Sequence, residues 1–279
     1  ALEVSAVHEQ GGEYALISYE ALVDDNNAQA AISLVKAPDQ PTLATYRGWM
    51  LRPQQYTRLY EALASINIVL INNPQAYQHC HYLPESYHLI APHTAKTVWL
   101  KYDEHFSLDK VTALLSEFGS QPIIVKDYVK SRKHEWTEAC FIPSAADKPN
   151  VLRVIETFLS RQGEDLNEGI VLREYVELEP LTKHSKSGMP LTKEYRLFFL
   201  DGKLINTCEY WEEGTYQSEE ILLEQFINIA TKTESRFFTM DIAKTVAGEW
   251  VIIELGDGQV AGLPDRANIV DFYKVLLTQ

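Results

Sequence analysis

The stretch FFTMDIAKTVAGEWVIIELGDGQVAGLP, residues 237–264, decides how this chain is read. Phe237–Ala243 and Trp250–Leu255 are apolar runs rich in aromatic and β-branched residues, and Ala247-Gly248 between them supplies a turn. The pattern predicts a β-hairpin. Asp241 lies on its first strand and Glu254 ends its second. Across an antiparallel ladder the two become neighbours, and strand alternation lets both share one face. Two carboxylates without a nearby cation repel each other, so such a pair holds a metal or a proton. Hard oxygen donors with no His or Cys between them favour magnesium, kept partly hydrated and shared with phosphate. Asp257, in the Gly256–Gly258 turn, is a candidate third oxygen. The competing reading is a pair of exposed acids on an edge hairpin.

Working outward, Tyr195–Leu200 and Lys203–Glu209 flank Asp201-Gly202, a strong two-residue turn signal. Ser218 can cap a helix whose core face is Ile221, Leu222, Phe226 and Ile229, and Ile269–Leu277 reads as a closing helix. Pro122–Lys126 (PIIVK) and Gly169–Val176 (GIVLREYV) are strands. Between them Val151, Val154, Ile155, Phe158 and Leu159 mark one helix face, closed near Gly163. Nearer the start, Glu13–Tyr19 and Ile66–Ile71 read as strands around a helix that opens at Pro53 and carries Tyr56, Leu59, Tyr60 and Leu63. Residues 72–93, rich in Pro, His, Tyr and Asn, read as a connecting loop. Strand, helix, strand, then antiparallel hairpins with helices describes an α+β fold better than a parallel doubly wound sheet.

Charged residues stand at the ends of these strands. Lys126 closes an apolar run, where a lysine either snorkels to solvent or meets an anion. Its neighbours Lys130, Arg132 and Lys133 favour phosphate. Arg173, Glu174 and Tyr175 end one strand, and Glu194 and Arg196 begin another. Each of these, taken singly, reads as a surface ion pair. The segment Thr182–Lys193 (TKHSKSGMPLTK) holds Lys183, His184, Lys186 and Lys193 with Gly188 and Pro190 as breakers. It reads as a solvated loop or as a lid.

Composition narrows the classes. The chain has 279 residues, 46% of them hydrophobic, enough for about two domains. A formal net charge of −14 repels polyanions and argues against nucleic acid as the main partner. No apolar segment approaches the roughly 18 residues of a membrane span, and the first residues lack the signal-peptide pattern. Cys80, Cys140 and Cys208 are scattered, which points to a reducing, cytoplasmic setting. There is no GxxxxGK[ST] loop, no GxGxxG element and no GxSxG nucleophile elbow. His79 and His81 form an HxH pair without a third ligand at a familiar spacing.

The order of elements then carries a resemblance. A lysine-ended strand (IIVKDYVKS), an acidic strand end (VLREYVEL), EYRLFFLDGKL, and the DIA…IIELGDGQ hairpin together resemble the ATP-grasp superfamily, over roughly residues 94–265. More narrowly, the chain looks like the divergent clade of the eukaryotic cell-division-cycle ATP-grasp assembly factor and its bacterial and phage relatives. The resemblance implies two α+β subdomains holding ATP between them, residues 91–279 with a hinge near 174–177, preceded by a small α/β domain over residues 1–90. It implies ATP and magnesium as cofactors. Lys126 looks like the strand lysine on the phosphates, with Lys133 nearby, and Arg196 like the arginine facing them, so these two stand as the catalytic candidates. Glu174, Tyr175, Val176 and Glu177 look like the hinge that holds adenine and ribose, and Asp241 and Glu254 like the magnesium ligands. Most members carry an asparagine two residues after the second acid. This chain has Gly256, leaving Asp257 or Gln259 as its replacement. The implied activity is an ADP-forming carboxylate–amine ligase acting on a small molecule, peptide or protein, needing no nucleophilic residue of its own. An ATP-binding assembly factor without turnover and a phosphotransferase on a hydroxyl remain open beside it.

Overall fold

The computed structural model describes residues 2–185, 190–216, 221 and 223–278. Its strands are, in chain order, β1 (Thr42–Ala44), β2 (Ile68–Leu70), β3 (Thr97–Lys101), β4 (Ile123–Asp127), β5 (Phe141–Ile142) and β6 (Gly169–Glu174). There follow β7 (Pro180–Lys183), β8 (Pro190–Thr192), β9 (Glu194–Leu200), β10 (Lys203–Glu209), β11 (Phe237–Lys244) and β12 (Trp250–Asp257). Two four-stranded antiparallel sheets dominate, ordered β3-β6-β4-β5 and β10-β9-β11-β12. β1 and β2 pair in parallel, and β7 and β8 form a separate hairpin. Helices and antiparallel sheets are thus segregated as an α+β fold requires.

Local chemistry accounts for the frame. Asp201 and Gly202 both have positive φ, +48° and +74°, the geometry of the tight turn that joins β9 to β10. Gly248, at φ +89°, serves the turn between β11 and β12. The helix Lys148–Gln162 is capped by the Asp147 side chain and buries Val151, Val154, Ile155 and Phe158 against Ile123, Val125, Ile170 and Leu172 of the first sheet. The second sheet has two apolar faces. Leu197, Phe199, Met240, Ile242 and Leu255 pack with Cys80, Leu83 and Ile90 on one side. Phe198, Leu200 and Phe237 pack with Phe272 and Leu276 of the closing helix Ile269–Leu276 and with Ala6 and Val7 on the other.

Two sequence expectations are overturned near the start. Glu13–Tyr19 is not a strand. β2 already takes β1 as its ladder partner, and Ser18 instead accepts a hydrogen bond from the Ala21 N–H to cap the helix Tyr19–Val23. Residues 72–93 are not a loop but two helices, Pro74–His81 and Leu83–Ile90, with a short turn after them. Asn73 caps the first, and each helix carries proline in its opening turn, where the missing N–H costs nothing. These prolines start helices where they had been read as breaking them. The Ser218 cap and Leu222 lie outside the described residues; the helix that follows them spans Glu224–Ala230 and buries Phe226 and Ile229.

Candidate functional site

Register brings the charged residues together. Asp241 on β11 is paired with Arg196 on β9 and with Glu254 on β12, so three charged side chains from adjacent strands lie side by side. A bulge beside Asp241 leaves Ile253 unmatched in the ladder. The carbonyls of Ile252 and Ile253 are turned to Arg173 of the other sheet, which donates to them at 3.1 and 2.6 Å and to Thr94 Oγ1 at 2.7 Å. Burial holds that guanidinium below its usual range, with the nearby Glu254 charge pulling it back. Arg173 therefore works as a bolt between the sheets beside Glu254. Read alone, its place at a strand end had looked like a surface ion pair.

Arg196 is the most heavily engaged side chain. Its Nε and Nη2 donate to the Asp241 carboxylate at 2.8 and 2.7 Å, and its Nη1 donates to the Gly262 carbonyl at 2.9 Å. The guanidinium carbon also sits 4.8 Å from the centre of the Tyr210 ring. Burial disfavours the charge, but the bidentate Asp241 pair more than compensates and raises its pKa. Asp241 itself is 3% exposed, not facing solvent as expected of a ligand-ready carboxylate. Burial and the Glu254 charge push it up against the pull of Arg196.

Glu254 keeps 38% of its side chain accessible and meets Lys126 Nζ, from β4 of the other sheet, at 3.1 Å. Burial alone would raise its carboxyl, but Lys126, Lys133 and Arg196 overcome this and hold it at about 2. Lys126 is buried, so it meets a carboxylate anion rather than snorkelling out. Lys133 is exposed on the short turn Lys133–Glu135, near enough for its charge to act on both acids. Arg132 points elsewhere, to Glu135 and to Gln162 Oε1. At the end of β6, the Glu174 and Tyr175 amides donate to the Lys96 and Pro122 carbonyls, and the Glu177 carbonyl accepts from Val246. Tyr175 packs edge-on against Phe141 and Trp136, at 5.0 and 5.8 Å between ring centres. Val176 continues this edge, half-buried.

Asp257 does not join the acidic pair. Three residues beyond Glu254, strand alternation turns it to the opposite face. There it is fully buried, accepting from Asn72 Nδ2 at 2.6 Å and from the Gln259 amide at 2.9 Å. Burial pushes its pKa up to about 7 despite these donors. Gln259 is likewise committed to Tyr56 and Tyr46. Gly256 lies on the Glu254 face, and a Cβ there would stand 2.7 Å from Thr239 Oγ1. That crowding explains why no asparagine occupies the position.

Of the remaining candidates, Lys193 is buried and 3.5 Å from Glu179, so it anchors one end of the β7–β8 hairpin. Lys183 and Pro190 are paired within that hairpin, and Lys186 and Gly188 lie outside the described residues. His79 and His81 sit in a helix, and burial lowers His81 to about 4. Among the described residues no three His, Cys, Asp or Glu side chains gather in metal-binding geometry, and no helix is long and apolar enough to cross a membrane.

A family model described as an ATP-grasp domain, clade family 3, matches residues 117–276, more than half of the chain. This chain belongs to that family. The match spans every site residue from Lys126 to Glu254 and leaves the first hundred or so residues outside it. No curated protein matches this ATP-grasp chain. Among solved structures it is similar to N5-carboxyaminoimidazole synthetase from Staphylococcus aureus, complexed with ADP, at TM-score 0.63 and 12% identity over 99% of this chain and 73% of that one. It is also similar to a RimK domain ATP-grasp protein from Sphaerobacter thermophilus, at TM-score 0.61 and 13% identity over 99% and 93%. At such identities these likenesses show the fold. Against the ATP-grasp ligase PsnB in complex with minimal precursor, magnesium and ADP, the chain spans 66% of that protein's length at TM-score 0.48.

Proposed function

We propose that this ATP-grasp chain binds ATP with magnesium between its two four-stranded sheets and is an ADP-forming ligase. In this reading a carboxylate substrate attacks the γ-phosphate to give an acyl phosphate, and an amine then displaces the phosphate. The observation that carries it is the convergence of Lys126 from one sheet with Arg196, Asp241 and Glu254 from the other, joined by the 3.1 Å contact of Lys126 with Glu254. In a protein of net charge −14, such a cation cluster is where a polyanionic phosphate chain can be neutralised. Lys126 and Arg196 are assigned to the phosphates, Lys133 to their rim, and the edge Glu174–Glu177 to adenine and ribose.

The donor set fits magnesium. Glu254 is ionised, half-exposed and beside Asp241, and two carboxylates leave the remaining positions for water and phosphate oxygens, as magnesium prefers. When bound, the metal bridges phosphate oxygens and neutralises charge developing on them. The chain's own residues do the rest. Lys126 must exchange Glu254 for phosphate, Arg196 is held in place by Asp241, and Arg173 fixes the strand that carries Glu254. No covalent residue is required, because positioning and electrostatics supply the acceleration. The acceptor is assigned only as a small molecule, peptide or protein, in a cytoplasmic setting. We keep the division into an N-terminal domain, residues 1–90, and an ATP-grasp domain, residues 91–279, as part of the same proposal.

Substrate-dependent ADP release, screened against amino acids, peptides and fractionated extract with product analysis, tests this reading. An amide with ADP and phosphate is the expected outcome. Binding without turnover would favour an assembly factor, and a phosphorylated hydroxyl product a phosphotransferase; either would displace the ligase.

A further inference from the structure

The loop that leaves β12, Gly258 to Gly262, is held by two guanidinium groups from opposite ends of the sequence. Arg47 Nη1 donates to the carbonyls of Gly258, Gln259 and Ala261 at 2.6, 3.3 and 2.9 Å. The next carbonyl along, that of Gly262, accepts from Arg196 Nη1 at 2.9 Å. Consecutive carbonyls of one short segment are thus oriented by Arg47 and Arg196. Arg47 is itself fixed. Its Nε and Nη2 pair with the two Glu3 oxygens at 2.9 and 3.1 Å, Tyr273 donates to the same carboxylate, and the guanidinium lies 5.9 Å from the Phe272 ring centre. The neighbouring Tyr46 amide donates to the Gln259 side chain, whose amide group reaches Tyr56 at 2.7 Å. Arg47 lies outside residues 117–276, the family segment.

We infer that Arg47 is a positioning residue for Arg196. By aligning the loop carbonyls it places the Gly262 oxygen, and that oxygen with Asp241 sets the plane of the Arg196 guanidinium. A cation with three carbonyl acceptors and a bidentate carboxylate is a rigid clamp, since planar forked donors lose little freedom on binding. The N-terminal segment thereby reaches the phosphate-binding group of the ATP-grasp sheet without touching the nucleotide. The inference rests on the reading of Arg196 as a phosphate ligand only for its consequence, not for the clamp itself.

The test has two arms. In ¹⁵N-labelled protein, the Arg196 side-chain Nε–H signal is identified by its loss in Arg196→Lys, and its exchange with water is followed. Arg47→Ala should speed that exchange about tenfold, the worth of one charge-assisted hydrogen bond. The Arg132 Nε–H, bonded to Glu135 on the other side of the molecule, should not change. Arg47→Lys, which keeps one donor, and Glu3→Gln, which frees one side of the clamp, should fall between and serve if the alanine variant does not fold. The second arm compares ATP with AMP affinity; Arg47→Ala should reduce the preference for ATP by about tenfold while leaving AMP unchanged. A general loss of stability would weaken both nucleotides alike. An unaltered Arg196 signal in the folded variants overturns the inference. A native protein with no preference for ATP overturns the functional reading instead, and the exchange arm still decides on Arg47.

Discussion

Asp241 and Glu254 face each other across one ladder, yet their surroundings give them different work. Asp241 is sealed under Arg196, whereas Glu254 is partly open and balanced by Lys126. The two neutralising substitutions should therefore separate. Glu254→Gln should keep the fold and abolish the magnesium dependence of ATP binding, which calorimetry with and without magnesium reads directly. Asp241→Asn should destabilise the protein, since removing one partner of a buried pair costs about 3–5 kcal/mol. Urea unfolding of the two variants checks the split, and equal stabilities would contradict it. Lys126→Ala should weaken ATP about tenfold or more but AMP little, because the lost contact lies on the outer phosphates. Equal weakening of both nucleotides in titrations would move Lys126 to another part of the ligand.

Elements set where these residues stand. The β9–β10 turn depends on Gly202 at φ +74°, so Gly202→Ala should cost about 1 kcal/mol, measured as a lower unfolding midpoint without a change in slope. Strand β12 is fastened at its end by Asp257, whose pKa of about 7 lies above that of an unfolded aspartate. The folded state then holds a proton that the unfolded chain releases, so this group's contribution falls as pH rises from about 4 to about 7 and is level beyond. Its loss should approach about 1.4 kcal/mol per pH unit in that window. Asp257→Asn, which keeps the shape of the protonated acid, should flatten the slope between pH 4 and 7; an unchanged slope in stability measurements would assign it elsewhere. The charged groups around Asp257 are Arg47 and the tyrosines Tyr56 and Tyr77, none of which titrates in this window.

For the whole molecule, the proposed ligand sits where two sheets meet through Lys126–Glu254 and through Arg173 on the Ile252 and Ile253 carbonyls. ATP with magnesium at a hundredfold excess over its dissociation constant should stabilise the fold by about 2.7 kcal/mol. A thermal melt should show that rise in the native protein and lose it in Glu254→Gln.

How far the sequence reaches follows from the same geometry. The β11–β12 hairpin, the Asp201-Gly202 turn, the helix over Val151–Phe158 and the lysine-ended β4 were legible, because each rests on contacts between residues close in the chain. So was the pairing of Asp241 with Glu254, which the turn between them dictates. The helices over 74–90 were hidden by a local ambiguity, since Asn-Pro signals a turn and a helix start alike. The rest depended on contacts between distant positions. Only the β9–β11 register could reveal that Arg196 covers Asp241, and only sheet docking that Arg173 is buried. Asp257 looked like a ligand beside Glu254 until a strand's two-residue period turned it toward Asn72, 185 positions away. Local spacing determines what a segment can form; which buried charges meet is decided when distant segments exclude water from between them.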